Sequence, residues 1–549
     1  LARSPALPQT PYTRCHRVNN PARGAHDRSK RAGMASFQHG MHQAHDATNP
    51  DDVGTSPAEL KRVLAAQQAA AIANGPPAVA ERVRRLELAI NLLLDNADEI
   101  TAAVAKDFGV RPEKVTRFAD LLMALESCKQ ARDKVAAWAA PQRRVVDFPF
   151  NLVGATNYIE YTPKGVVGIV GPWNYPVMLV IGPLASAFAA GNSVMIKPSE
   201  YAPATAAILG KLVNAAYDET VAHVCNGGAS VAAAFCALPF DHIVFTGSTT
   251  VGKLVAKAAA ENLTPVTLEL GGKCPVIIGA DANIANAAAR VAHGKVLNAG
   301  QTCLAPDYVF VPRAKRDAFI AAFEEAVSSM YPDGVLDSAD YTSVIDGRHY
   351  ARLRSMIDGA AAAGCPTVEC LGGGGDGKPR PAADACRIPP TLVLDAPDGI
   401  DASEEEIFGP VMCIRAYDAV DDALAYVNAR PRPLALYYFG TDAAEEAKVL
   451  ARTTSGGVTI NDCIMHCAQE DLPFGGVGAS GYGRMRGWDG FRELSNARGV
   501  HRQVALHRQY LLDGIYPPYN RQTNVIAPYL KLKFNNGIMP KVGGFCTIL

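Results

Sequence analysis

The residue with the clearest chemical potential is Cys303, in the segment Asn298-Ala299-Gly300-Gln301-Thr302-Cys303. A cysteine thiolate is a strong nucleophile, Gly300 permits a close approach of the backbone, and the polar neighbours suit an exposed thiol. The alternative, which is the default for each of the thirteen cysteines, is a small buried side chain without chemistry. Cys303 is therefore a candidate nucleophile.

Two further polar side chains, Glu269 and Asn174, are placed where chemistry is possible. Glu269 is a lone acid at the end of an apolar strand, where poor solvation raises the pKa of a carboxyl toward the range of a general base. A paired structural acid is the alternative. Asn174, in Pro172-Trp173-Asn174-Tyr175-Pro176, follows a strand at the position where α/β ligand sites form, and its amide is a potential oxyanion donor. A turn asparagine between two prolines is the alternative there.

Two glycine-rich segments resemble phosphate-binding loops. Gly247–Lys253 lacks the Ser or Thr of a P-loop, because Leu254 follows the lysine, and an ATPase is disfavoured. Its context of strand, glycine turn and helix still suits a pyrophosphate on backbone N–H groups. Gly476–Gly481 fits the dinucleotide pattern G-x-G-x-x-G, but no convincing strand precedes it and it opens no βαβ unit. A tight turn is predicted there.

Composition excludes several classes of function. Fifty-three basic and 54 acidic residues give a net charge of −1, which argues against a nucleic-acid-binding footprint over the whole chain. An odd and sparse set of cysteines indicates a reducing compartment. The sequence contains no uninterrupted apolar run of about 18 residues, so no membrane-spanning helix is predicted. Cys463, His466 and Cys467 have no second cluster at metal-ligand spacing, so no metal site is predicted.

The elements that must position these residues alternate between helix and strand. Residues 57–137 are predicted to be helical, with one apolar stripe through Val83, Leu86, Ile90 and Leu93. From residue 145 onward, short β-branched runs alternate with Ala-rich helical stretches, which predicts βαβ units and a parallel sheet. The clearest strands are 165–170, 193–196, 242–245, 266–268, 305–311, 391–394 and 411–417, with helices at 203–216 and 251–262.

Taken together and in order, these segments resemble the aldehyde dehydrogenase superfamily over roughly residues 58–525. The matching motifs are Pro172–Pro176 (PWNYP), Lys197–Glu200 (KPSE), Phe245–Ser248 (FTGS), Glu269–Lys273 (ELGGK), Gly300–Cys303 (GQTC), Glu405–Pro410 (EEIFGP) and Pro473–Gly478 (PFGGVG). Arg430–Tyr437 and Ile515–Tyr519 resemble its class 3 branch, within which coniferyl aldehyde dehydrogenases are the most similar group. Arg484-Met485-Arg486 departs from the family pattern, which leaves the cofactor or substrate contacts there open.

The resemblance implies a role for each matching residue. Cys303 corresponds to the nucleophile, Glu269 to the general base, and Asn174 to the side-chain oxyanion donor. The implied contacts to a nicotinamide cofactor are Trp173, Lys197, Glu200, Gly247, Ser248, Gly252, Glu406 and Phe408. Glu200 would repel a 2′-phosphate and Lys197 would attract one, so NAD is expected and NADP is possible.

The resemblance also implies an α/β architecture: a Rossmann-type parallel-sheet cofactor domain, an α/β catalytic domain and a β oligomerisation flap. The expected division is a disordered or non-native leader at 1–50, the NAD-binding domain at 51–137 and 159–270, the catalytic domain at 271–465, and a bridging and closing segment at 138–158 with 466–549. A homodimer in the cytoplasm is expected.

The implied reaction is NAD(P)-dependent oxidation of an aldehyde, aromatic of the coniferyl type or fatty, to the carboxylate through a thiohemiacetal and a thioester. A semialdehyde substrate, release of an acyl-CoA, a cofactor-independent cysteine esterase or acyltransferase, and a non-enzymatic protein that retains the fold are the alternatives. The esterase or acyltransferase alternative leaves the matching cofactor motifs unexplained. The non-enzymatic alternative does not explain why four functional residues are intact: Asn174, Glu269, Cys303 and Glu406.

The two ends of the chain carry separate expectations. Residues 1–33 are rich in arginine and start at Leu1, which indicates either an over-extended reading frame with Met34 as the start, or a transit peptide. Cys546-Thr547-Ile548-Leu549 fits the C-a-a-X prenylation pattern, with a chance match as the alternative.

Overall fold

Three β-sheets organise the chain in the computed structural model, which describes residues 54–147, 150–371 and 386–503. The strands are β1 Gln142–Arg144, β2 Thr156–Pro163, β3 Val166–Val170, β4 Ser193–Lys197, β5 Ala222–Val224, β6 His242–Gly247, β7 Val266–Leu270, β8 Cys274–Ile278, β9 Pro306–Pro312, β10 Thr367–Glu369, β11 Thr391–Leu394, β12 Val411–Tyr417, β13 Ala435–Phe439, β14 Gly457–Ile460, β15 Gly481–Tyr482 and β16 Ser495–Arg502. The predicted leader, residues 1–50, and the predicted prenylation site, Cys546, lie outside the described residues.

Helices cover the sheets and join their strands. They are α1 Pro57–Asn74, α2 Val79–Asp95, α3 Ala97–Phe108, α4 Glu113–Val115, α5 Met123–Trp138, α6 Met178–Ala190, α7 Pro203–Ala216, α8 Ala229–Cys236, α9 Thr249–Ala260, α10 Ile284–Val296, α11 Arg316–Met330, α12 Gly347–Ala362, α13 Asp401–Glu404, α14 Val420–Asn428, α15 Ala443–Arg452 and α16 Gly487–Glu493. A π-helical segment, Thr116–Leu122, joins α4 to α5. The predicted apolar stripe of α2 buries Leu86, Ile90 and Leu93.

The six-stranded sheet has the order β15-β7-β6-β3-β4-β5, and every pair is parallel except β15 with β7. Its central strands are buried along their whole length, as in Val166–Val170, which is expected for strands with helices on both faces of the sheet. Because the strands are parallel, the carboxyl ends of β3, β4, β6 and β7 meet at one edge. Ligand sites of open α/β sheets form at that edge.

The seven-stranded sheet has the order β10-β11-β12-β9-β8-β13-β14 and is parallel except for β10 against β11. It contains residues 274–460 only, which lie within the stretch expected to form the catalytic domain. The chain passes from the six-stranded sheet to this one through Gly271-Gly272-Lys273, between β7 and β8. Glu269 therefore lies at the junction of the two sheets.

The third sheet is antiparallel, with β2 between β1 and β16. It brings residues 142–163 together with residues 495–502, and the boundary expected between residues 158 and 159 falls inside β2. The strand is continuous there because Ser495–Arg502 pairs with all of Thr156–Pro163. Among the described residues, no helix is both long and apolar enough to span a membrane.

Candidate active site

The segment that carries Cys303 leaves α10 in an unusual backbone conformation. Asn298 and Ala299 both have φ of 52°, which places non-glycine residues in the left-handed region. Such residues are strained by roughly 1–3 kcal/mol each and cluster at functional sites. Gly300 follows with φ of 71°, and a Cβ there would lie 2.2 Å from the carbonyl oxygen of Gly409. Only glycine fits at residue 300.

Gln301 fixes this segment from within the core. It is fully buried, and its Nε2 donates to the carbonyl oxygens of Asn298 (2.9 Å) and Ser343 (3.0 Å). Its Oε1 accepts from the backbone N–H of Ile345 at 2.9 Å. The amide therefore uses its acceptor and both donor directions, and it holds the backbone two residues before Cys303.

Asn174 is held against the same segment. It is 3% exposed, and its Nδ2 donates to the carbonyl oxygen of Gln301 at 3.0 Å. In return, Asn298 Nδ2 donates to the carbonyl oxygen of Asn174 at 3.1 Å. The next residue repeats the link, since the Tyr175 and Thr302 hydroxyls are 2.7 Å apart. The structure thus brings the predicted oxyanion donor to the loop of the predicted nucleophile.

A buried ion pair supports Asn174 from behind. Arg111 Nη2 lies 2.6 Å from Asp120 Oδ2 with both side chains fully buried, and Arg111 Nη1 donates to the carbonyl oxygen of Asn174 at 2.8 Å. Asp120 Oδ1 also accepts from the backbone N–H groups of Val177 and Met178, both at 3.2 Å. The pair therefore fixes the start of α6 and the turn before it.

Cys303 itself is half-buried, and the expectation that its polar neighbours indicate an exposed thiol is wrong. Gln301 and Thr302 are buried because their polar atoms bond to Ser343, Ile345 and Tyr175 rather than to water. Burial raises the pKa of the Cys303 thiol well above its usual value, and the negative charges of Glu406 and Glu269 raise it further. The resting thiol is therefore protonated at neutral pH.

Glu269 is buried in β7, 2% exposed, as the apolar strand around it predicted. Within the part of the chain that the structure describes, neither carboxylate oxygen has a hydrogen-bond partner. Burial raises the pKa of Glu269 well above 4.5, while the nearby charges of Arg484 and Arg486 lower it. The alternative of a paired structural acid does not fit, since this carboxylate is free to hold a proton.

Glu406 is a second acid whose charge acts on Cys303, and although the residue is half-buried, its Oε1 atom is fully buried. A Cβ on Gly271 would lie 1.8 Å from Glu406 Oε2, so the carboxylate rests against the glycine turn after β7. Burial raises the pKa of Glu406 to about 8, and Oε1 lacks a hydrogen-bond partner among the described residues. Lys273 donates to the carbonyl oxygen of Glu405 at 2.8 Å and pairs with Asp307 at 2.6 Å, which fixes the loop.

Phe408 and Trp173 contact each other, with ring centroids 5.4 Å apart and planes at 77°. Phe408 has φ of 50°, a further left-handed residue at the site. The Trp173 ring also lies 5.0 Å from the His349 ring and 6.3 Å from Phe108. These two predicted cofactor contacts thus form one aromatic cluster between the PWNYP turn and the Glu406 loop.

Lys197 and Glu200, at the end of β4, form an ion pair. Lys197 is buried, and its Nζ lies 2.7 Å from Glu200 Oε2 and 2.8 Å from the carbonyl oxygen of Pro198. The Glu200 side chain remains 23% exposed. The lysine charge is therefore neutralised within the protein, while the carboxylate faces the edge where the parallel strands end.

The loop after β6 begins a helix. Ser248 caps α9, and its Oγ accepts from the backbone N–H of Val251 at 3.3 Å. A Cβ on Gly252 would lie 2.5 Å from the Leu270 side chain, so this glycine lets α9 pack on the end of β7. A Cβ on Gly247 would meet the Phe245 ring at 2.6 Å. The three predicted residues lie at the same sheet edge as Lys197.

The G-x-G-x-x-G segment is a tight turn in the structure. A Cβ on Gly476 would lie 1.9 Å from the carbonyl oxygen of Ser480, and one on Gly481 would lie 1.9 Å from that of Leu268. Gly481 pairs with Glu269 in the antiparallel contact of β15 with β7. The glycines therefore let the closing segment lie directly on the strand that carries the candidate base.

The residues Cys463, His466 and Cys467 are close in the chain but have other contacts. His466 Nδ1 lies 2.8 Å from the Thr459 hydroxyl, and its ring stacks on Phe474. Burial lowers the pKa of His466 to about 4. In the described ranges, no group of three or more His, Cys, Asp or Glu side chains is arranged to hold a metal ion.

Several residues of the site have no signal in the sequence. Arg111 and Asp120 lie in a stretch whose pattern indicates only helix. Asn298 precedes the Gly300–Cys303 motif and Gln301 lies within it, but neither residue type by itself indicates a role in holding the loop. Arg486 belongs to the segment that departs from the family pattern, and that departure is its one signal in the sequence. Arg111, Asn298 and Gln301 each bond directly to Asn174, and Asp120 joins them through Arg111.

The fold and the residues around Cys303 are those of an α/β enzyme in which a parallel sheet of the nucleotide-binding type lies beside a candidate cysteine nucleophile. The profile of the aldehyde dehydrogenase family matches residues 53–500. A probable coniferyl aldehyde dehydrogenase of Caulobacter vibrioides is 47% identical over 84% of this chain and 94% of that protein.

Solved structures agree. The substrate-bound state of Staphylococcus aureus AldH has a TM-score of 0.79 and 35% identity, covering 86% of this chain and 99% of that one. A Mycobacterium tuberculosis aldehyde dehydrogenase complexed with NAD⁺ has a TM-score of 0.72 and 27% identity, covering 82% and 91%.

The chain belongs to the aldehyde dehydrogenase family. It is an oxidoreductase that oxidises aldehydes with NAD(P). The family resemblance, the α/β fold and the enzyme class predicted from the motifs are confirmed.

Proposed function

We propose that this enzyme oxidises an aromatic aldehyde of the coniferyl type to its carboxylate, with Cys303 as nucleophile, Glu269 as general base and Asn174 as oxyanion donor. The observation that carries the assignment of roles is that Asn174, Glu269 and Glu406 all act on Cys303 or on the segment that holds it. Asn174 bonds to the Cys303 segment, and the charges of Glu269 and Glu406 both act on the Cys303 thiol. The similarity to a probable coniferyl aldehyde dehydrogenase supports the substrate class.

The first bond forms between Cys303 Sγ and the carbonyl carbon of the aldehyde. The thiol proton must leave, and we assign the base that accepts it as Glu269, whose buried carboxylate has no hydrogen-bond partner among the described residues. The carbonyl oxygen becomes an oxyanion, which the Asn174 amide and the backbone N–H of Cys303 stabilise. One such donor contributes roughly 10²–10³ in rate.

The residues present fit a nicotinamide cofactor. The buried Glu406 Oε1 has no hydrogen-bond partner among the described residues, as expected of an acceptor reserved for a ribose hydroxyl. Glu200 and Ser248, at the edge of the parallel sheet, would hold the adenosine ribose and the pyrophosphate, and Phe408 with Trp173 would flank the nicotinamide. When bound, the cofactor accepts the hydride of the tetrahedral carbon, and a thioester to Cys303 remains.

Hydrolysis of the thioester again uses Glu269. Once Glu269 has passed the thiol proton to solvent, its carboxylate removes a proton from water as the water oxygen attacks the thioester carbon. The carbon–sulfur bond then breaks, which releases the carboxylic acid and the Cys303 thiolate, and the thiolate takes the proton back from Glu269. Asn174 stabilises the second oxyanion from the same position. Because Glu269 accepts no hydrogen bond from the described protein groups, its oxygens can receive one from water.

NAD is the proposed cofactor. A 2′-phosphate would need a free cation near the adenosine ribose, but the Lys197 ammonium is buried and paired with Glu200. The half-exposed Glu200 carboxylate would repel the phosphate.

A homodimer formed through the three-stranded sheet is also proposed, because β16, with eight residues and mostly exposed side chains, is an edge strand among the residues that the structure describes. Edge strands of this kind pair with a second chain or are covered by it. Light scattering on the purified enzyme tests this proposal; a monomer at micromolar concentration would contradict it.

A substrate panel tests the proposed function. Coniferaldehyde, benzaldehyde, a long-chain aldehyde and a semialdehyde are each supplied with NAD and NADP, and reduced nicotinamide is followed by absorbance. We expect the highest kcat/KM for coniferaldehyde with NAD. Preference for the semialdehyde would overturn the substrate class, and ester hydrolysis without aldehyde oxidation would overturn the reaction.

A further inference from the structure

One charged residue near the site, Arg486, is used by none of the steps above. Its side chain is 6% exposed, and its backbone has φ of 73° at the residue before α16. The preceding residue, Met485, is fixed by two backbone hydrogen bonds to Phe474, at 2.7 and 3.1 Å. A buried arginine in a left-handed conformation is costly, so the surrounding structure must hold it there.

The neighbours of Arg486 do not satisfy its guanidinium group. Nη1 forms an ion pair with Glu470 Oε1, but the 3.6 Å separation is too long for a hydrogen bond, and Nη1 has no hydrogen-bond partner within the described ranges. Two further contacts are with weak acceptors: Nη2 lies 3.9 Å from Met178 Sδ, and the guanidinium carbon lies 5.1 Å from the Phe474 ring centroid. A buried N–H donor of a charged group is left available.

The contacts of Arg486 lead to the candidate base: the guanidinium group lies on the Phe474 ring, and a Cβ on the next residue, Gly475, would lie 2.9 Å from Glu269 Oε1. Met178 is four residues after Asn174 and begins α6. The charge of Arg486 lowers the pKa of Glu269 and of Cys467, and Cys467 in turn acts on the Cys303 thiol. Through Phe474 and Met178, Arg486 therefore lies between the closing segment that covers Glu269 and the start of the helix that follows Asn174.

We propose that Arg486 Nη1 donates a hydrogen bond to an oxygen on the ring of the aldehyde substrate, and so selects aromatic aldehydes with a ring hydroxyl or ether oxygen. This inference rests on the proposed function and specifies the substrate that the site prefers. Phe474 and Met178 give the ring an apolar surface, and the arginine supplies the one strong polar contact.

The surrounding charges favour a neutral oxygen over a carboxylate. Glu470 opposes the arginine charge at 3.6 Å, and Ser127 Oγ fixes the Glu470 carboxyl through contacts of 3.0 and 3.1 Å. A carboxylate on the substrate would also approach the buried acid Glu269. A phenol or ether oxygen accepts the hydrogen bond without this repulsion.

The test compares two aldehydes that differ by one ring hydroxyl, cinnamaldehyde and 4-hydroxycinnamaldehyde. We expect the wild-type enzyme to prefer the hydroxylated compound in kcat/KM by about 10- to 100-fold, the range of a hydrogen bond to a charged donor. Arg486→Met should remove this preference, mainly through KM for the hydroxylated aldehyde. Arg492→Met, at an exposed arginine in α16, is the matched control and should keep the preference.

A second variant keeps the inference testable if Arg486→Met does not fold. Glu470→Gln leaves the arginine charge unopposed and should raise kcat/KM for 4-carboxybenzaldehyde by about tenfold. No gain with this variant, equal use of the two cinnamaldehydes by the wild type, or an unchanged preference in Arg486→Met would overturn the inference and leave the proposed function intact. Failure of the wild type to oxidise either cinnamaldehyde, with activity on a semialdehyde, would overturn both.

Discussion

The segment that carries Cys303 and the strand that carries Glu269 are built in opposite ways. Between Asn298 and Thr302, side-chain amides and hydroxyls bond to Asn174, Tyr175 and Ser343. Glu269 is equally buried, yet neither of its carboxylate oxygens has a hydrogen-bond partner among the described residues.

The difference matches the two tasks proposed for these residues. A nucleophile must be held in one geometry, because a misplacement of about 1 Å costs roughly 100-fold in rate. A base must exchange protons with changing partners, so permanent hydrogen bonds would hinder it and would lower its pKa. Strain and polar satisfaction are concentrated at the first site, and desolvation at the second.

The largest effect is expected from Cys303→Ser. A hydroxyl in place of the thiol removes the nucleophile from an otherwise unchanged loop, and steady-state turnover should fall by about 10⁴-fold or more. Reduced nicotinamide absorbance measures the loss, with Cys365→Ser, at another buried cysteine, as the control. Turnover within a few-fold of the wild type would exclude Cys303 as the nucleophile.

Glu269→Gln should separate the two halves of the reaction. Without the carboxylate, hydrolysis of the thioester slows by about 10²–10⁴-fold, the usual contribution of a general base. A single-turnover burst of reduced cofactor should remain if formation of the thioester depends less on the base. Rapid-mixing absorbance distinguishes the phases.

Glu493→Gln is the control for Glu269→Gln, because Glu493 also acts on the pKa of Glu269 without belonging to β7. It should keep both phases of the reaction. If Glu493→Gln lost the steady-state rate and Glu269→Gln kept it, Glu493 would be the base and the assignment of Glu269 would be wrong.

Asn174→Ala tests the hydrogen-bonded segment that carries Cys303. The variant loses the amide that bonds to Gln301, and kcat should fall by about 10²–10³-fold as for other oxyanion donors. The free energy of unfolding should change by only about 1 kcal/mol, since one buried hydrogen bond is lost. Asn286→Ala, at an exposed asparagine of α10, is the control. A kcat loss matched by unfolding would indicate a structural role alone.

The sequence predicts the fold better than it predicts the surroundings of the site. Strands at 193–196 and 391–394 agree with the structure to within one residue, because buried β-branched runs between glycines and prolines have few other solutions. The motifs also place Asn174, Glu269 and Cys303 together.

Two features of the site could not be predicted. The Arg111–Asp120 pair depends on a tertiary contact between the π-helical segment and the PWNYP turn, and a helical pattern does not encode such a contact. The thiol was expected to be exposed because Gln301 and Thr302 are polar, yet their polar atoms bond inside the protein. Residue type alone does not tell whether a polar group is solvated or internally paired.

The smallest effect expected concerns the protonation of the nucleophile. Burial and the charge of Glu406 raise the pKa of the Cys303 thiol, so the thiolate is scarce at neutral pH and its fraction grows as the pH rises toward that pKa. Alkylation of Cys303 by iodoacetamide, followed by peptide mass spectrometry, should therefore accelerate about tenfold per pH unit from pH 6.5 to 8.5 without levelling off. Because Glu406 carries its negative charge mainly above its pKa of about 8, Glu406→Gln should accelerate alkylation at pH 8.5 and leave the rate at pH 6.5 nearly unchanged. A plateau below pH 7 in the wild type would mean that the resting thiol is already ionised, and the loop would then have to stabilise the thiolate as well as position it.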